Sequence, residues 1–320
     1  MAGQPISILA YLKTVMNPQR RRETAPEPSP EISVFMPVRN DEQTVEANVK
    51  VLRQGVEGGR LHNAVVVVDG STDNTPQLVS QALRISDQQK KNLFNPSSTR
   101  RQLDLGNGIL LVWHKQPLGK GRNFVEAMRF LASSSDHFAN PNSVVVNVDA
   151  DALDLTEEKI LGIAGALHKT SSPMVLGRHV QLRNHVGERP MEPKPRSVGF
   201  RAIRADALKP LLAGNPSWVR VFPRQFGMDY ALNLLVQDRF RNSLPGGEIP
   251  FADVFLLHLP AGRHANKPSQ SAMREGVKAR FEQKDFLKIM SRESGTNWAD
   301  ELAFREEAIR IANKAKSIER

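Results

Sequence analysis

The sequence predicts an α/β fold in which a mostly parallel sheet is covered by helices on both faces. Short apolar runs, typical of buried strands, alternate four times with segments of helical periodicity in the first half of the chain. A polar cluster follows each of these runs directly, and ligands of parallel sheets bind at the carboxyl ends of the strands. The 320 residues, 40% of them hydrophobic, are enough to bury a large core.

Four apolar runs are predicted as strands, and each precedes a predicted helix. The strands cover residues 32–36, 64–68, 109–113 and 144–148. The helices cover residues 42–53, a segment opening at 75, residues 121–131 and a segment opening near 154. Pro76 stands at the favoured first helical position, and Asp154 and Glu157 have the spacing of a capping box.

Two polar segments interrupt this order. Residues 90–108 are predicted to form a surface insertion, and residues 183–197, with three prolines and several cations, a mobile lid beside the site. Further along, residues 206–212 and 226–236 are predicted as helices, and residues 251–257 as a strand with one buried face.

Composition limits the functional classes. The chain has no cysteine, which excludes a disulfide scaffold, thiolate metal sites and cysteine nucleophiles. No apolar stretch approaches the roughly 20 residues that span a bilayer, and the N-terminus lacks a secretory pattern with a cleavage site. We therefore expect a cytoplasmic protein without stable membrane insertion.

The chain carries a net charge of +10, from 44 Lys and Arg against 34 Asp and Glu. Such an excess fits nucleic acid, an anionic membrane or anionic small substrates. No nucleic-acid motif accompanies it, and 6% aromatic residues are few for base stacking, so we expect no nucleic-acid binding. A pocket for polyanionic metabolites and a solvated basic surface both remain open.

Asp149 and Asp151 follow the fourth predicted strand directly. Alternation along a strand places both on the same side. Two carboxylates that face one way repel each other unless a positive charge lies between them. A hard divalent cation with oxygen ligands supplies that charge and usually bridges to phosphate oxygens. The triplet therefore indicates a metal–diphosphate site, although Asp-X-Asp is also frequent in turns.

Four motifs, each at a predicted strand end, resemble those of family 2 and related glycosyltransferases of the GT-A fold. They are SVFMPVRNDE at 33–42, VVDGSTD at 67–73, GKGRN at 119–123 and DAD at 149–151. The resemblance covers about residues 31 to 270. It implies a GT-A (Rossmann-like) sheet and a metal-dependent enzyme that uses a nucleoside diphosphate sugar.

The resemblance also implies roles for the first two motifs. Pro37 ends the first strand, and Arg39 and Asp41 lie where the family contacts the nucleoside. Asp69 is placed to accept a hydrogen bond from the nucleobase imino N–H. The segment 69–73 equally fits a turn with a helix cap.

The remaining two motifs carry the charged groups. Lys120, between two glycines, is a cation at a helix start, where anions are favoured. By resemblance it binds the donor, Asp149 contacts the ribose or the metal, and Asp151 binds the metal directly.

Two later motifs narrow the resemblance to the retaining synthases of glucosyl-3-phosphoglycerate or mannosylglycerate. They are FGMD at 226–229 and LPAGRHANKP at 259–268. By resemblance His264 completes the metal site, and Asn266 binds the acceptor. Imidazole added to carboxylate and diphosphate oxygens suits Mn²⁺ or Mg²⁺.

The acceptor side departs from that group. The Arg that commonly follows the ligand His is Ala265 here, Asp229 stands where the phosphoglycerate enzymes have Glu, and residues 183–197 match the acceptor loop poorly. Arg178 and nearby cations suit an anionic acceptor, or they are surface charge. Asp151 and Asp229 are the catalytic candidates, with Asp229 orienting the acceptor hydroxyl.

The expected activity is transfer of glucose or mannose from a UDP- or GDP-hexose to a small anionic acceptor such as glycerate or 3-phosphoglycerate, with retention. The alternative is an inverting family 2 enzyme that acts on a polysaccharide or lipid-linked acceptor, with Asp229 as general base. A sugar-phosphate nucleotidyltransferase is disfavoured because the segment 37–42 has no glycine. A binding protein that kept the fold and lost catalysis is disfavoured, because the expected charged and metal-binding residues are all present: Lys120, Asp149, Asp151 and His264.

We expect four regions in the chain. Residues 1–30 form a flexible N-terminal segment, 31–155 the nucleotide-sugar-binding half, 156–270 the acceptor-binding half of the same domain, and 271–320 C-terminal helices. The C-terminal helices suit either a homodimer interface or a cap on the sheet.

Overall fold

The structure is a computed structural model that describes most of the chain between residues 30 and 258. The described residues are 30–95, 97–134, 138, 140, 142–170, 172–181, 199–212, 228–244 and 249–258. Outside them lie residues 1–29 of the predicted N-terminal segment, the predicted lid, His264, Asn266 and the predicted C-terminal helices.

The described strands form a single mixed sheet of eight. They are β1 (Ile32–Val38), β2 (Asn63–Asp69), β3 (Arg100–Asp104), β4 (Ile109–His114), β5 (Val144–Asn147), β6 (Met174–Gln181), β7 (Arg201–Arg204) and β8 (Phe251–His258). Their order is β3-β4-β2-β1-β5-β7-β6-β8. The four strands β4, β2, β1 and β5 are mutually parallel, whereas β3 and β7 run antiparallel to their neighbours. The last strand, β8, pairs in parallel with β6.

Helices lie on both faces of this sheet. They are α1 (Val45–Glu57), α2 (Thr75–Ala82), α3 (Asp87–Leu93), α4 (Lys120–Ser134), α5 (Glu157–Thr170), α6 (Lys209–Leu212) and α7 (Met228–Phe240). One core cluster joins the sheet to α1 and α5, with Leu52 and Ile163 among its members. The other joins it to α4 and α7 and includes Phe124 and Leu235. The predicted α/β architecture, with a sheet covered on both faces, is confirmed.

The central strands explain why the apolar runs were informative. All seven residues of β2 are buried, because helices cover both of its faces. The four predicted strands and the four helices that follow them are all present, with ends that differ by a few residues. The strand predicted over 251–257 is also present, and Ala252 and Leu256 form its buried face.

Three predictions of local structure are corrected. Residues 90–108 are not a plain insertion, because α3 ends there and β3 pairs antiparallel with β4. The capping box is wrong: Thr156 Oγ1 accepts the N–H of Lys159 at 3.3 Å, and Asp154 pairs with the Lys159 ammonium at 2.5 Å. The helix predicted over 206–212 is a 3-10 turn, Ala205–Leu208, followed by the single turn of α6.

The described part of the chain contains no helix that is both long and apolar enough to cross a membrane. The cytoplasmic location and the homodimer stay predictions.

Candidate active site

The loops after β1 and β2 are joined by hydrogen bonds at the carboxyl edge of the sheet. Asn40 Oδ1 accepts the N–H of Thr72 at 2.8 Å, and the Asp41 N–H donates to Thr75 Oγ1 at 2.9 Å. Asp41 Oδ2 also accepts the N–H of Arg39 at 2.8 Å. These bonds give Asp41 a structural role, and the nucleoside contacts expected of Pro37, Arg39 and Asp41 stay predictions.

Asp69 ties the end of β2 to the loop that leads into α4. It is 4% exposed, and its two carboxylate oxygens accept the N–H groups of Leu118 at 2.7 Å and Gly119 at 2.9 Å. A Cβ at Gly70 would overlap Pro117, so the two loops lie in close contact. Asp69 therefore positions the residue that follows, Lys120, and its bond to a nucleobase stays a prediction.

Lys120, the first residue of α4, carries an ammonium group that lies close to two acidic residues of the site. Its Nζ lies 2.6 Å from Asp149 Oδ1 and 3.5 Å from Asp229 Oδ2. Burial by itself would lower the pKa of Lys120, but the negative charges of Asp149 and Asp229 outweigh it and raise the pKa above its ordinary value. The group is therefore a permanent cation at neutral pH.

The carboxylate loop, defined here as residues 149–152, is held from beneath by α1 and the residue before it. Thr44 Oγ1 donates to the main-chain oxygen of Ala150 at 2.6 Å. Asn48 Nδ2 donates to the main-chain oxygens of Ala150 at 2.9 Å and Ala152 at 2.7 Å. The backbone that carries Asp149 and Asp151 is thus fixed by side chains about 100 positions earlier, which sequence reasoning missed.

Arg201 on β7 is the largest fully buried side chain among the described residues, and it holds Asp229. Its Nη2 donates to Asp229 Oδ1 at 2.8 Å, while Nη1 donates to the Asp229 main-chain oxygen and to Asn233 Oδ1, both at 3.0 Å. Burial lowers the pKa of Arg201, and the charges of Asp229 and Asp149 oppose that shift. Asp229, in the first turn of α7, is therefore anchored to the sheet.

Charges alternate across the site from one half of the fold to the other. Arg201 contacts Asp229, Asp229 faces Lys120, and Lys120 contacts Asp149. Partly buried charges are tolerated when each is compensated in this way. The predicted candidates Lys120, Asp149 and Asp229 are thus brought together, and Arg201 joins them.

Gly199, directly before Phe200 and β7, is a further residue that sequence reasoning missed. A Cβ at this position would overlap the Asp149 carboxylate, and the Asn147 side-chain amide donates to the Gly199 main-chain oxygen. Only a residue without a side chain fits here while Asp149 keeps its position.

Arg178 lies on β6 and makes its contacts with β8. Its Nε is 3.5 Å from Asp253 Oδ1, and its guanidinium lies 5.6 Å and 5.8 Å from the ring centroids of Phe251 and Phe255. Its predicted role in acceptor binding stays a prediction.

The carboxylate loop has donors that suit a metal ion. Asp149 and Asp151 offer hard oxygen ligands on a fixed backbone, which fits Mg²⁺ or Mn²⁺. Within the described ranges no group of three His, Asp or Glu side chains lies together as a metal cluster. The predicted third ligand, His264, lies outside those ranges.

A sequence model of glycosyl transferase family 2 matches residues 33–226, which include all four motifs at the strand ends. The chain belongs to this family. The predicted enzyme class, a glycosyltransferase, and the GT-A type of α/β fold are thereby confirmed.

Comparison with solved structures gives distant likenesses to this glycosyltransferase. A mycobacterial protein is 18% identical, covering 84% of this chain and 76% of that one, with a TM-score of 0.49. Glucosyl-3-phosphoglycerate synthase from Mycobacterium tuberculosis, in complex with Mn²⁺, UDP-glucose and phosphoglyceric acid, is 18% identical, covering 82% and 80%, with a TM-score of 0.49. The structure of the same synthase in complex with Mg²⁺ and UDP is 18% identical, covering 84% of this chain and 80% of that one, with a TM-score of 0.47. No curated protein sequence matches the chain. At these values the structural likeness adds nothing to the family assignment.

Proposed function

We propose that this glycosyltransferase moves glucose or mannose from a UDP- or GDP-hexose to the hydroxyl group of a small anionic acceptor, such as glycerate or 3-phosphoglycerate, with retention. The observation that carries the proposal is the position of Lys120. Its ammonium lies between Asp149 on the carboxylate loop and Asp229 on α7, at 2.6 Å and 3.5 Å. In this proposal the donor diphosphate and the acceptor hydroxyl meet beside this cation.

Donor binding follows from the charges of the site. The Lys120 ammonium and the N-terminus of α4 both favour an anion, and the raised pKa of Lys120 keeps the ammonium charged at neutral pH. Asp149 and Asp151 would hold Mg²⁺ or Mn²⁺, with His264 as the third ligand, and the metal would supply charge neutralisation for the diphosphate. The nucleoside would lie over the loops of Pro37, Arg39, Asp41 and Asp69.

The proposed transfer needs no nucleophile on the protein. The acceptor hydroxyl forms a bond to the anomeric carbon on the face from which the diphosphate departs, and its proton passes to the leaving diphosphate oxygen. Lys120 stabilises the negative charge that develops on that diphosphate, an electrostatic effect of several kcal/mol by general precedent. Asp229 orients the hydroxyl: Arg201 holds Oδ1, and this fixes the direction in which Oδ2 points.

The acceptor class rests on charge. A net charge of +10 favours an anionic partner, and Arg178 and Asn266 are the proposed acceptor contacts. The Asp253 partner of Arg178 is 81% exposed, and an ion pair of that kind at 3.5 Å is weak enough to be exchanged for a ligand carboxylate or phosphate.

A thermal-shift panel tests donor and metal together. UDP, GDP and their glucose and mannose conjugates are each added with Mn²⁺, Mg²⁺ or EDTA. A ligand at 100 times its Kd adds about 2.7 kcal/mol to stability. We expect one nucleotide to stabilise the protein more strongly with metal than in EDTA, and Asp151→Ala to lose that metal-dependent part. No shift under any condition would overturn the proposal.

The product then decides the stereochemistry. The stabilising sugar nucleotide is incubated with glycerate and with 3-phosphoglycerate, and NMR identifies the anomer formed. Retention of the donor configuration is expected. The opposite anomer would favour the inverting alternative with a polysaccharide or lipid-linked acceptor, and full activity of Asp229→Asn would remove the orienting role of that residue.

A further inference from the structure

Two polar side chains lie in the buried stripe of α1 and the residue that precedes it. Thr44 and Asn48 are four positions apart and therefore share one face, where Val45, Val49 and Leu52 make the apolar contacts expected of a core-facing stripe. Thr44 is 5% exposed and Asn48 is 2% exposed. A polar group in such a place is costly unless it is hydrogen-bonded, so its partners identify its purpose.

The shorter hydrogen bonds of both side chains go to the carboxylate loop, while Thr44 Oγ1 also lies 3.4 Å from the main-chain oxygen of Asp41. Thr44 Oγ1 and Asn48 Nδ2 both donate to the main-chain oxygen of Ala150, at 2.6 Å and 2.9 Å. Asn48 Nδ2 also donates to the main-chain oxygen of Ala152 at 2.7 Å. The Ala150 oxygen belongs to the peptide unit directly before Asp151, and the Ala152 oxygen belongs to the unit between Ala152 and Leu153, so the bonds hold the backbone on both sides of Asp151.

Thr44 and Asn48 bond to the backbone of the carboxylate loop, so they act on the metal-binding carboxylates only by holding that backbone in place. We infer that Thr44 and Asn48 are positioning residues, which hold the carboxylate loop so that Asp149 and Asp151 present their carboxylates to a divalent cation and the donor diphosphate. The inference rests on the proposed function of that loop. Partners one layer behind the ligands of a metal site typically change its affinity about 10- to 100-fold when they are removed.

Four variants separate positioning from simple stabilisation. Thr44→Val removes the hydroxyl group at nearly constant volume, whereas Thr44→Ser keeps it. Asn48→Leu removes the amide and keeps the number of side-chain heavy atoms. Ser80→Ala is the matched control, because Ser80 is fully buried and its Oγ donates to a single helix carbonyl, that of Pro76, at 2.8 Å.

Binding of Mn²⁺ is measured by electron paramagnetic resonance with UDP and, in parallel, with GDP present. Nucleotide binding in EDTA and urea unfolding are recorded for each variant. We expect Thr44→Val and Asn48→Leu to bind Mn²⁺ about 10- to 100-fold more weakly, with nucleotide binding in EDTA unchanged. Thr44→Ser and Ser80→Ala are expected to bind Mn²⁺ like the wild type.

The outcomes distinguish the inference from the function on which it rests. A wild-type protein that binds no Mn²⁺ with either nucleotide overturns both. Normal binding by the wild type together with unchanged Mn²⁺ affinity in Thr44→Val overturns the inference alone. So does a Ser80→Ala variant that weakens Mn²⁺ binding as much, because the effect would then follow stability. If Asn48→Leu fails to fold, the Thr44→Val and Thr44→Ser pair decides.

Discussion

The ammonium group of Lys120 lies 2.6 Å from Asp149 Oδ1, within the distance of a direct charged hydrogen bond. A divalent cation that binds Asp149 therefore shares this carboxylate with Lys120 or displaces the ammonium group from it. A diphosphate brings the negative charge that allows both cations to stay. We accordingly expect metal and nucleotide to bind cooperatively.

Replacing Lys120 by Met tests this relationship, because the side chain keeps most of its length and loses its charge. We expect affinity for UDP or GDP with Mn²⁺ to fall about tenfold or more, since hydrogen bonds to charged groups contribute about 1.5–3 kcal/mol. Mn²⁺ alone should bind more tightly, because Asp149 loses its competing cation. Isothermal titration measures both affinities.

A matched control for that variant is Lys50→Met, since Lys50 is half exposed and pairs with Glu46 on the outer face of α1. It should change neither affinity. Weaker binding of both Mn²⁺ and nucleotide in Lys120→Met would contradict the competition.

The ion pair between the fully buried Arg201 and the partly buried Asp229 gives a second prediction. Arg201→Met should lower the free energy of unfolding by about 1–3 kcal/mol, because Asp229 and the Asn233 side-chain oxygen lose their donor, although Lys120 still faces Asp229. The double variant Arg201→Met with Asp229→Leu should lose less than the sum of the two single variants, which urea unfolding measures.

The neighbouring Arg204 supplies the control. It lies on the same strand and pairs with Asp206 at 2.6 Å, but it is about one-third exposed, so Arg204→Met should cost only about 0–1 kcal/mol. Equal losses for Arg201→Met and Arg204→Met would show that burial of the first pair has no special effect.

The strands at the centre of the sheet were predictable because burial on both faces requires apolar residues along the whole strand. A parallel strand buried on both faces is a continuous apolar run, as in β2. The edge strand β3 has no such apolar run, since four of its five residues are exposed. It is held by backbone pairing with β4, which the sequence does not reveal. Its assignment required the structure.

The residues of the charged site also fall into those that the sequence predicted and those that it did not. Lys120, Asp149 and Asp229 were predicted because each stands in a short motif. Arg201 was missed because β7 has four residues and a fully buried cation contradicts the hydropathy pattern of a core strand. Asn48 was missed because its partners lie 102 and 104 positions away.

Asp69 gives a third prediction, which concerns the loop before α4. In Asp69→Asn one of the two acceptor oxygens becomes an NH₂ group facing the N–H of Leu118 or Gly119. We expect a loss of about 1–3 kcal/mol in stability and weaker nucleotide binding, because Lys120 loses its support. Asp104→Asn is the control, since Asp104 accepts the N–H of Gly106 in an exposed turn. Unfolding and titration measure both effects, and an Asp69→Asn protein with unchanged stability would show that the tether is dispensable.

The last prediction concerns acid sensitivity at Glu126 on α4. Its carboxylate lies 3.5 Å from His114 Nε2, and Arg100 and Arg122 approach it at the same distance. Burial by itself would raise the pKa of Glu126, but the close approach of His114 and the charges of the two arginines outweigh it and lower the pKa. A lowered pKa means that the stabilisation is present above the unfolded-state pKa of Glu and is lost as the pH falls through the folded-state value.

Glu126→Gln should therefore be less stable than the wild type near neutral pH, by about 1 kcal/mol for a partly exposed cluster. That gap should shrink as the pH falls from the unfolded-state pKa of Glu, about 4.3, through the lowered pKa of Glu126 in the folded state. Urea unfolding across this range measures the gap. The control is Glu46→Gln, whose carboxylate is 40% exposed and pairs only with Lys50 among the contacts found on the outer face of α1, so its small effect should change little with pH. A gap for Glu126→Gln that stays constant or widens in acid would contradict the assignment, because the charge of Glu126 would then not be the stabilising group.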